Sequence, residues 1–488
     1  MIELSRSNTK DFKSGEEHQM STLAKKRVID FTDGPILKNI LIFIWPLLVH
    51  QFLQTTYNSV GMMIVGQYSP NGSLAMGAIS AASTMLTFWM SIFSGISAGT
   101  GICVALKIGA RDEKEVERYI HSSAVFSFIG GAVLMIIGIA TIKPFLILTE
   151  VPESMMAEAT AYMVAYYLGF PTMMVLNSMS ASLRASGDTY HTMIFMSVAG
   201  AANLLVTAIL VFGFGLGAVA AGVGVTVTQI VAVSLILGYM MRLDGMCRFS
   251  FKKLALFKDA VKGFLYCGVP IGLQSSVFSL ANIFIQGYIN IYGDVVIAGS
   301  AAANSLTNYI HSITNALAVA LLTIVSQNMG AKRYDRVKRT VIVMTLAVVI
   351  IGLVMGLAIY IFGEQLLGLY VSKDDGLDYD AVIYEGMVRA LTYTLPYFLY
   401  GVVECFSNTL NGMKKSVITM TLSLIGLCGV RIVWVVAANA MFPQSVALIH
   451  LSSPVSCLAT ALMETVALFI VFRSLSANAK SVEETVQA

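Results

Sequence analysis

Ile44-Trp-Pro46-Leu-Leu-Val-His50-Gln-Phe-Leu-Gln54-Thr-Thr-Tyr-Asn58 is an apolar helical stretch with one polar stripe. His50, Gln54 and Asn58 stand four apart and therefore share a face. Gly268-Val-Pro270-Ile-Gly-Leu-Gln274 opens the same pattern 224 residues later. Measured from the proline, Gln274 matches His50 and Asn282 matches Asn58, and the stripe continues through Gln286 and Asn290. Two further markers repeat in the same order. Gly109-Ala-Arg111 with Val116-Glu-Arg118 matches Gly330-Ala-Lys332 with Val337-Lys-Arg339 at an offset of 221, and Pro171 with Gly187 matches Pro396 with Gly412 at 225. The chain is thus a duplication.

The composition says where such a chain lives. Of 488 residues, 56% are apolar and only 12% charged, against about 25% charged in a soluble domain. Mean hydropathy is +0.75. This excludes a soluble enzyme and a disordered chain. The net charge of +3 is too small to suggest nucleic acid. The six cysteines form no CxxC, so neither a disulfide framework nor a zinc site is expected.

A spanning helix needs about 20 apolar residues. Turn and charge signals separate twelve, near 36–66, 74–106, 119–143, 155–183, 190–213, 218–241, 262–292, 295–329, 337–363, 381–411, 416–438 and 446–472. The expected fold is an all-α polytopic membrane protein with two six-helix lobes, 36–241 and 262–473. Six is even, so both lobes enter the membrane in one direction, and a pseudo-two-fold axis runs along the membrane normal. An amphipathic linker occupies 242–261, and polar tails occupy 1–35 and 474–488. Kinks are expected at Pro46, Pro171, Pro270 and Pro396. Of 31 basic residues, 27 fall on the side holding both termini and two, Lys143 and Lys373, on the other. The basic side is cytoplasmic by the positive-inside rule. The outer loop at 372–380 is acidic, and Asn71-Gly-Ser73 is a glycosylation triplet relevant only on a eukaryotic secretory route. Gly213-Phe-Gly-Leu-Gly217 and the glycines near 222–224 lack a βαβ context, so they read as close helix packing rather than a phosphate loop.

Polar side chains in lipid are costly unless they face protein or water. The second helix carries Ser83, Thr87 and Ser94, and the eighth carries Asn304, Asn308 and Asn315 with His311. With the stripes of the first and seventh, two lobes present equivalent polar faces, which predicts a substrate cavity at the pseudo-axis. The deep acids are Glu404 in the tenth helix and Glu464 in the twelfth, and an unpaired ionised carboxylate there is expensive. Both are candidate ion-coupling residues. Arg431 is too far up to pair with Glu404; it either snorkels outward beside Trp434 or is a functional intramembrane charge, and Glu385 is expected to pair with Arg389 four residues on.

The sequence resembles the multidrug and toxic compound extrusion (MATE) transporters over about residues 31–473. Leu183-Arg-Ala-Ser-Gly-Asp-Thr189 is similar to their LRGxGDT segment, Gly268–Gln274 to the opening of their second lobe, and Ser326-Gln-Asn-Met-Gly-Ala331 to their QNxGA turn. The resemblance implies a secondary antiporter that exports amphipathic, often cationic organic compounds in exchange for protons or sodium by alternating access. Many members keep acids where this chain has Gly61, Thr207 and Phe278, so their N-lobe ion site does not transfer. Asn177 and Asn203 match recurrent polar positions and join the cavity candidates, while Glu404, in a helix where the family often has an acid, leads for coupling. No cofactor beyond the coupling ion is implied. The implied partners are a small organic cation and the bilayer, with the monomer as working unit in the plasma membrane. The alternative is a flippase or exporter of a lipid-linked or metabolite substrate, for which several cavity arginines are the expected signature. A membrane enzyme would need convergent His, Asp or Cys groups at the surface, and the sequence offers none.

Overall fold

The computed structural model describes residues 29–69, 72–149, 151–371, 378–443 and 445–487; the tail before residue 29, Asn71, Lys373 and the acids Asp374 and Asp375 lie outside them. Among the described residues the regular structure is helical throughout. The first six spans are Ile36–Tyr68, Gly72–Gly109, Glu113–Leu148, Glu153–Leu168 with Phe170–Ala185, Thr189–Phe214 and Ala218–Arg242. The seventh to ninth are Lys258–Asn290, Asp294–Gly330 and Tyr334–Gly368. The tenth is assembled from Tyr379–Arg389, a π-helical turn at Ala390–Thr394, a 3-10 turn at Leu395–Tyr397 and Phe398–Gly412. The eleventh joins Ser416–Ser423 to Arg431–Met441 through a π segment, Leu424–Val430. The twelfth is the short Val446–His450 followed by Ser452–Gln487, so the last helix runs on past the expected end near 472.

Several spans hold 33 to 38 residues. At about 1.5 Å per residue they exceed the roughly 30 Å hydrocarbon layer, which requires tilt or protrusion. Their outer faces expose apolar side chains such as Trp45, Phe128, Ile136, Ile350 and Leu357. In water such a belt would aggregate; in lipid it is the natural surface. The protein is therefore a multi-pass membrane protein. Pro171 bends the fourth span by 48° at the Leu168/Phe170 break, while Pro46 and Pro270 sit inside continuous helices.

The duplication is visible in the backbone. Among the described residues, Arg111, Lys332 and Lys414 are the non-glycine residues with positive φ, at 56°, 58° and 59°, and Gly187 takes 92°. These four turn the chain after the second, eighth, tenth and fourth spans. Equivalent turns of the two lobes thus use the same left-handed residue, although three carry a side chain that disfavours it.

The lobes meet along the second and seventh spans. Gly95 and Gly99 lie directly against Gly268 and Gly272, where a Cβ would strike facing backbone. This is the small-residue packing that lets helices approach backbone to backbone in membranes. Nearer the basic end, Gly109 abuts Gln327 and its repeat mate Gly330 abuts Leu106. That end is tightly closed. Toward the other end, Gln54, Asn58, Gln286, Asn290, Asn304 and Asn308 are exposed, so a cleft opens between the lobes there.

Two local expectations change. The Gly213–Gly217 stretch is a turn rather than a packing face: Gly215 has φ 65° and Gly213 has nothing close. Its end is held by Glu158, whose carboxylate accepts from Ala218 N at 2.9 Å. The linker between lobes has a turn at 245–247 and one short helical turn, Phe251–Lys253, and is pinned to the third span. Phe249 stacks on His121 at 5.2 Å, and Ser250 N donates to His121 Nε2 at 3.0 Å.

Candidate functional site: two cavities and a buried carboxylate

Each lobe has its own cavity, open toward the cleft, lined by the polar stripe of its first or seventh span. A smaller cavity of about 140 Å³ lies between the lobes, lined by Ser94, Ser97 and Asn177 of one and Thr323 and Ser326 of the other. In the N-lobe, His50, Gln54, Asn58, Asn177 and Asn203 line a cavity of about 220 Å³ with Tyr57, Met90, Tyr166 and Gln229. Thr207, where an acid was absent, donates to Asn203 Oδ1 at 3.2 Å. In the C-lobe, Asn282, Gln286, Asn304, Asn308 and His311 line a larger cavity of about 520 Å³. Gln274 lies outside that lining; its Nε2 donates to Ser423 Oγ at 2.9 Å.

The C-lobe cavity also holds Arg389, Arg431, Phe278 and three tyrosines, Tyr393, Tyr397 and Tyr400. Arg431 is only 4% exposed and does not snorkel. Its Nη1 donates to Asn282 Oδ1 at 2.7 Å, and the guanidinium lies 5.9 Å from the Phe278 ring centre. Trp434 is turned elsewhere and donates to Leu448 O at 2.8 Å. Arg389 is 8% exposed and forms no ion pair with Glu385 among the described residues. Its Nη2 donates to Asn304 Oδ1 at 3.3 Å, and its guanidinium lies 5.0 Å from the Tyr393 ring centre. Arg431 follows the π segment Leu424–Val430, and each extra residue in a turn rotates the helix beyond it by roughly 100°, so a wheel carried through from Ser416 misplaces it. Glu385 and Arg389 share the regular helix Tyr379–Arg389, so there it is packing, with Asn304 and the Tyr393 ring taking the guanidinium, that replaces the pair. The available signal for both arginines was their position, since an intramembrane arginine points to function by default.

Of the two deep acids, Glu404 lies beside this cavity. Tyr400 OH, on the cavity wall, donates to Glu404 Oε1 at 3.0 Å. Glu404 is half-buried, whereas Glu464 is 0% exposed. Ser407 Oγ donates to Glu464 Oε1 at 2.7 Å and Ser423 Oγ at 3.4 Å, while Oε2 has no protein partner. Gln274, Ser423, Glu464 and Ser407 thus chain the seventh, eleventh, twelfth and tenth spans together.

The sequence motifs build the closed end. Gln327 accepts from Phe31 N at 3.2 Å and donates to Ala185 O at 2.7 Å, joining the C-lobe to the end of the fourth span. Asn328 Nδ2 donates to Phe31 O at 3.2 Å. Arg336 donates to the carbonyls of Phe31, Asp33 and Gly34, and Arg333 to Thr32 O and Asp33 Oδ1. On the other lobe, Gly187 leaves room for Ile29 O, and Thr189 Oγ1 donates to Phe43 O at 3.0 Å. Segment 29–34 is therefore clamped between lobes.

Comparison with known proteins agrees with the duplicated bundle. The MatE family model matches residues 46–210 and again 270–437, together about two thirds of the chain. The chain belongs to the MatE family. The two matches begin at the paired prolines Pro46 and Pro270. Among relatives, "Probable multidrug resistance protein YoeA" of Bacillus subtilis is 26% identical over 408 residues, covering 81% of this chain and 86% of that protein. The "FAD transporter" of Shewanella oneidensis is 22% identical over 364 residues, covering 73% and 78%. A solved outward-facing multidrug resistance MATE transporter superposes with a TM-score of 0.84 at 16% identity, covering 92% of this chain and 98% of that one. This MatE chain accordingly shares with those proteins a fold of two six-helix lobes.

Proposed function

We propose that the chain is a secondary-active exporter of amphipathic organic compounds, driven by inward movement of protons or sodium. It works in the cell membrane with both termini cytoplasmic. The carrying observation is Glu464, the carboxylate fully buried within a span, with two serine donors on one oxygen and the other unmatched. An ionised carboxylate without a counter-charge is expensive in such a place. A proton or a sodium ion at Oε2 removes that cost. The cost also differs between a closed and a water-filled lobe, so binding the ion biases the two states. Sequence position favoured Glu404 for this role; burial favours Glu464, with Glu404 linked to the cavity through Tyr400.

The concentration of basic residues supports a cytoplasmic closed end, and on that reading the described state is outward-open. Alternating access then requires the glycine seam of the second and seventh spans and the clamp on segment 29–34 to part. Cargo is carried in the lobe cavities; that of the C-lobe has a size usual for small-molecule sites. Relatives carry names for different cargoes, multidrug in one and FAD in another, so cargo charge has to be read from the cavities. Neither lining contains Asp or Glu among the described residues, so a cation finds no ion-pair partner in either.

The test is transport by purified protein in liposomes under separate pH and sodium gradients. Exchange driven by one gradient, with trans-stimulation by unlabelled substrate and loss in Glu464→Gln, is expected. Normal gradient-driven exchange in Glu464→Gln would sink the coupling assignment. Flux without trans-stimulation would sink the carrier.

A further inference from the structure

The C-lobe cavity contains an unused positive charge. Arg389 and Arg431 are 8% and 4% exposed, and both line the same 520 Å³ space. Their hydrogen-bond partners from the neighbouring helices are neutral amides, Asn304 and Asn282. Among the described residues no ion pair involves either guanidinium. The Nε of each also lacks a partner, although both atoms are buried. Burying two like charges this way is costly, and proteins ordinarily answer it with carboxylates. Here the carboxylate that lies nearest in the hydrogen-bond pattern, Glu404, stands behind Tyr400 and accepts its hydroxyl. The counter-charge is left for something that enters the cavity.

The rest of the lining indicates what enters with the charge. Tyr393, Tyr397 and Tyr400 lie in sequence along one wall, with ring centres 6.0 Å and 5.1 Å apart, and Phe278 stacks on Tyr400 at 5.9 Å. Arg431 lies between Phe278 and Tyr393, at 5.9 Å and 6.0 Å from their ring centres. A planar ring can insert against these faces, and guanidinium forks match carboxylate or phosphate oxygens. Inorganic anions or lipid headgroups would satisfy the arginines but leave the aromatic wall unused.

We propose that this cavity is an anion-selective subsite that takes an aromatic compound bearing a carboxylate or phosphate, with Arg389 and Arg431 as its specificity-determining residues. This deepens the exporter reading by naming its substrate class, but binding at the subsite stands independently of whether transport occurs.

The decisive measurement is calorimetric titration of the purified full chain with one ring in three charge states: 2-naphthoate, its methyl ester and 2-naphthylmethylammonium. Inorganic phosphate and phosphatidylglycerol-containing vesicles serve as ring-free anions. Naphthoate should bind about tenfold or more tighter than the ester. That preference should vanish in Arg389→Gln and Arg431→Gln, and persist in part in Arg431→Lys, which keeps charge but loses the fork. The ligand series on the unmutated protein needs no variant to fold. Ammonium binding as tightly as naphthoate would overturn the proposal, as would phosphate or the lipid headgroup matching naphthoate. Counterflow in liposomes separates the two readings. Anion preference without counterflow leaves the subsite and refutes the exporter; ammonium counterflow without anion preference does the reverse.

Discussion

Gln327→Leu should move this transporter from outward-open toward inward-open. The amide is 1% exposed and is made in two directions: Oε1 accepts from Phe31 N, and Nε2 donates to Ala185 O in the opposite lobe. Leucine keeps similar volume but leaves a buried N–H and a buried C=O without partners. Each such loss costs about 1–2 kcal/mol. When the inner seam opens, water reaches both groups and the penalty disappears, so nearly the whole cost is differential between states. Two groups give about 2–4 kcal/mol, and the outward-to-inward ratio should fall roughly 30- to 700-fold. Spin labels at Lys114→Cys and Asp335→Cys, both exposed beside the seam on opposite lobes, report the change as a longer distance by pulsed electron resonance. The six native cysteines are buried, so labelling there should be slow. An unchanged distance distribution in a folded Gln327→Leu protein would refute the idea that the motif glutamine locks the closed end.

Other perturbations test neighbouring parts of the argument. Gly99→Val should block inner closure, because its side chain would meet the backbone of Phe264 and Gly268; labelling should find the inner end open and transport lost. Tyr400→Phe removes one hydrogen bond to Glu404 and should destabilise by about 1 kcal/mol in thermal unfolding while leaving Glu464-dependent coupling in place. Lys414→Gly should raise thermal stability by about 1 kcal/mol, since φ 59° is free of penalty for glycine; a fall would mean the lysine side chain contributes more than its backbone costs.

The large plan of the protein was legible because its signals are local. Proline 46 and its copy at 270, the turn after Gly109 and its copy after Gly330, and the basic loops each depend on a few adjacent residues. Lipid reinforces this, since every span must satisfy its own backbone and so declares itself by composition. The polar stripes were legible too: Asn58, Asn282 and Asn308 all face cavities, because period-3.6 counting holds along unbroken helices, and Asn203, carried over from the family resemblance, faces one as well. Periodicity fixes a face of a helix but not what that face meets: Gln274, inside the continuous seventh span, meets Ser423 of the eleventh span instead of the cavity.

What composition and spacing determined by themselves, then, was a duplicated twelve-span membrane bundle with polar faces and two deep acids. What only the tertiary structure decided was the sign of the larger cavity. Arg389 and Arg431 are 42 residues apart and look peripheral on a wheel. A π segment turns the helix before Arg431, and the fold packs the tenth and eleventh spans so that both guanidinium groups enter one space whose described lining has no carboxylate. Such a convergence depends above all on how the helices pack against one another, which is not encoded in the spacing of residues along the chain.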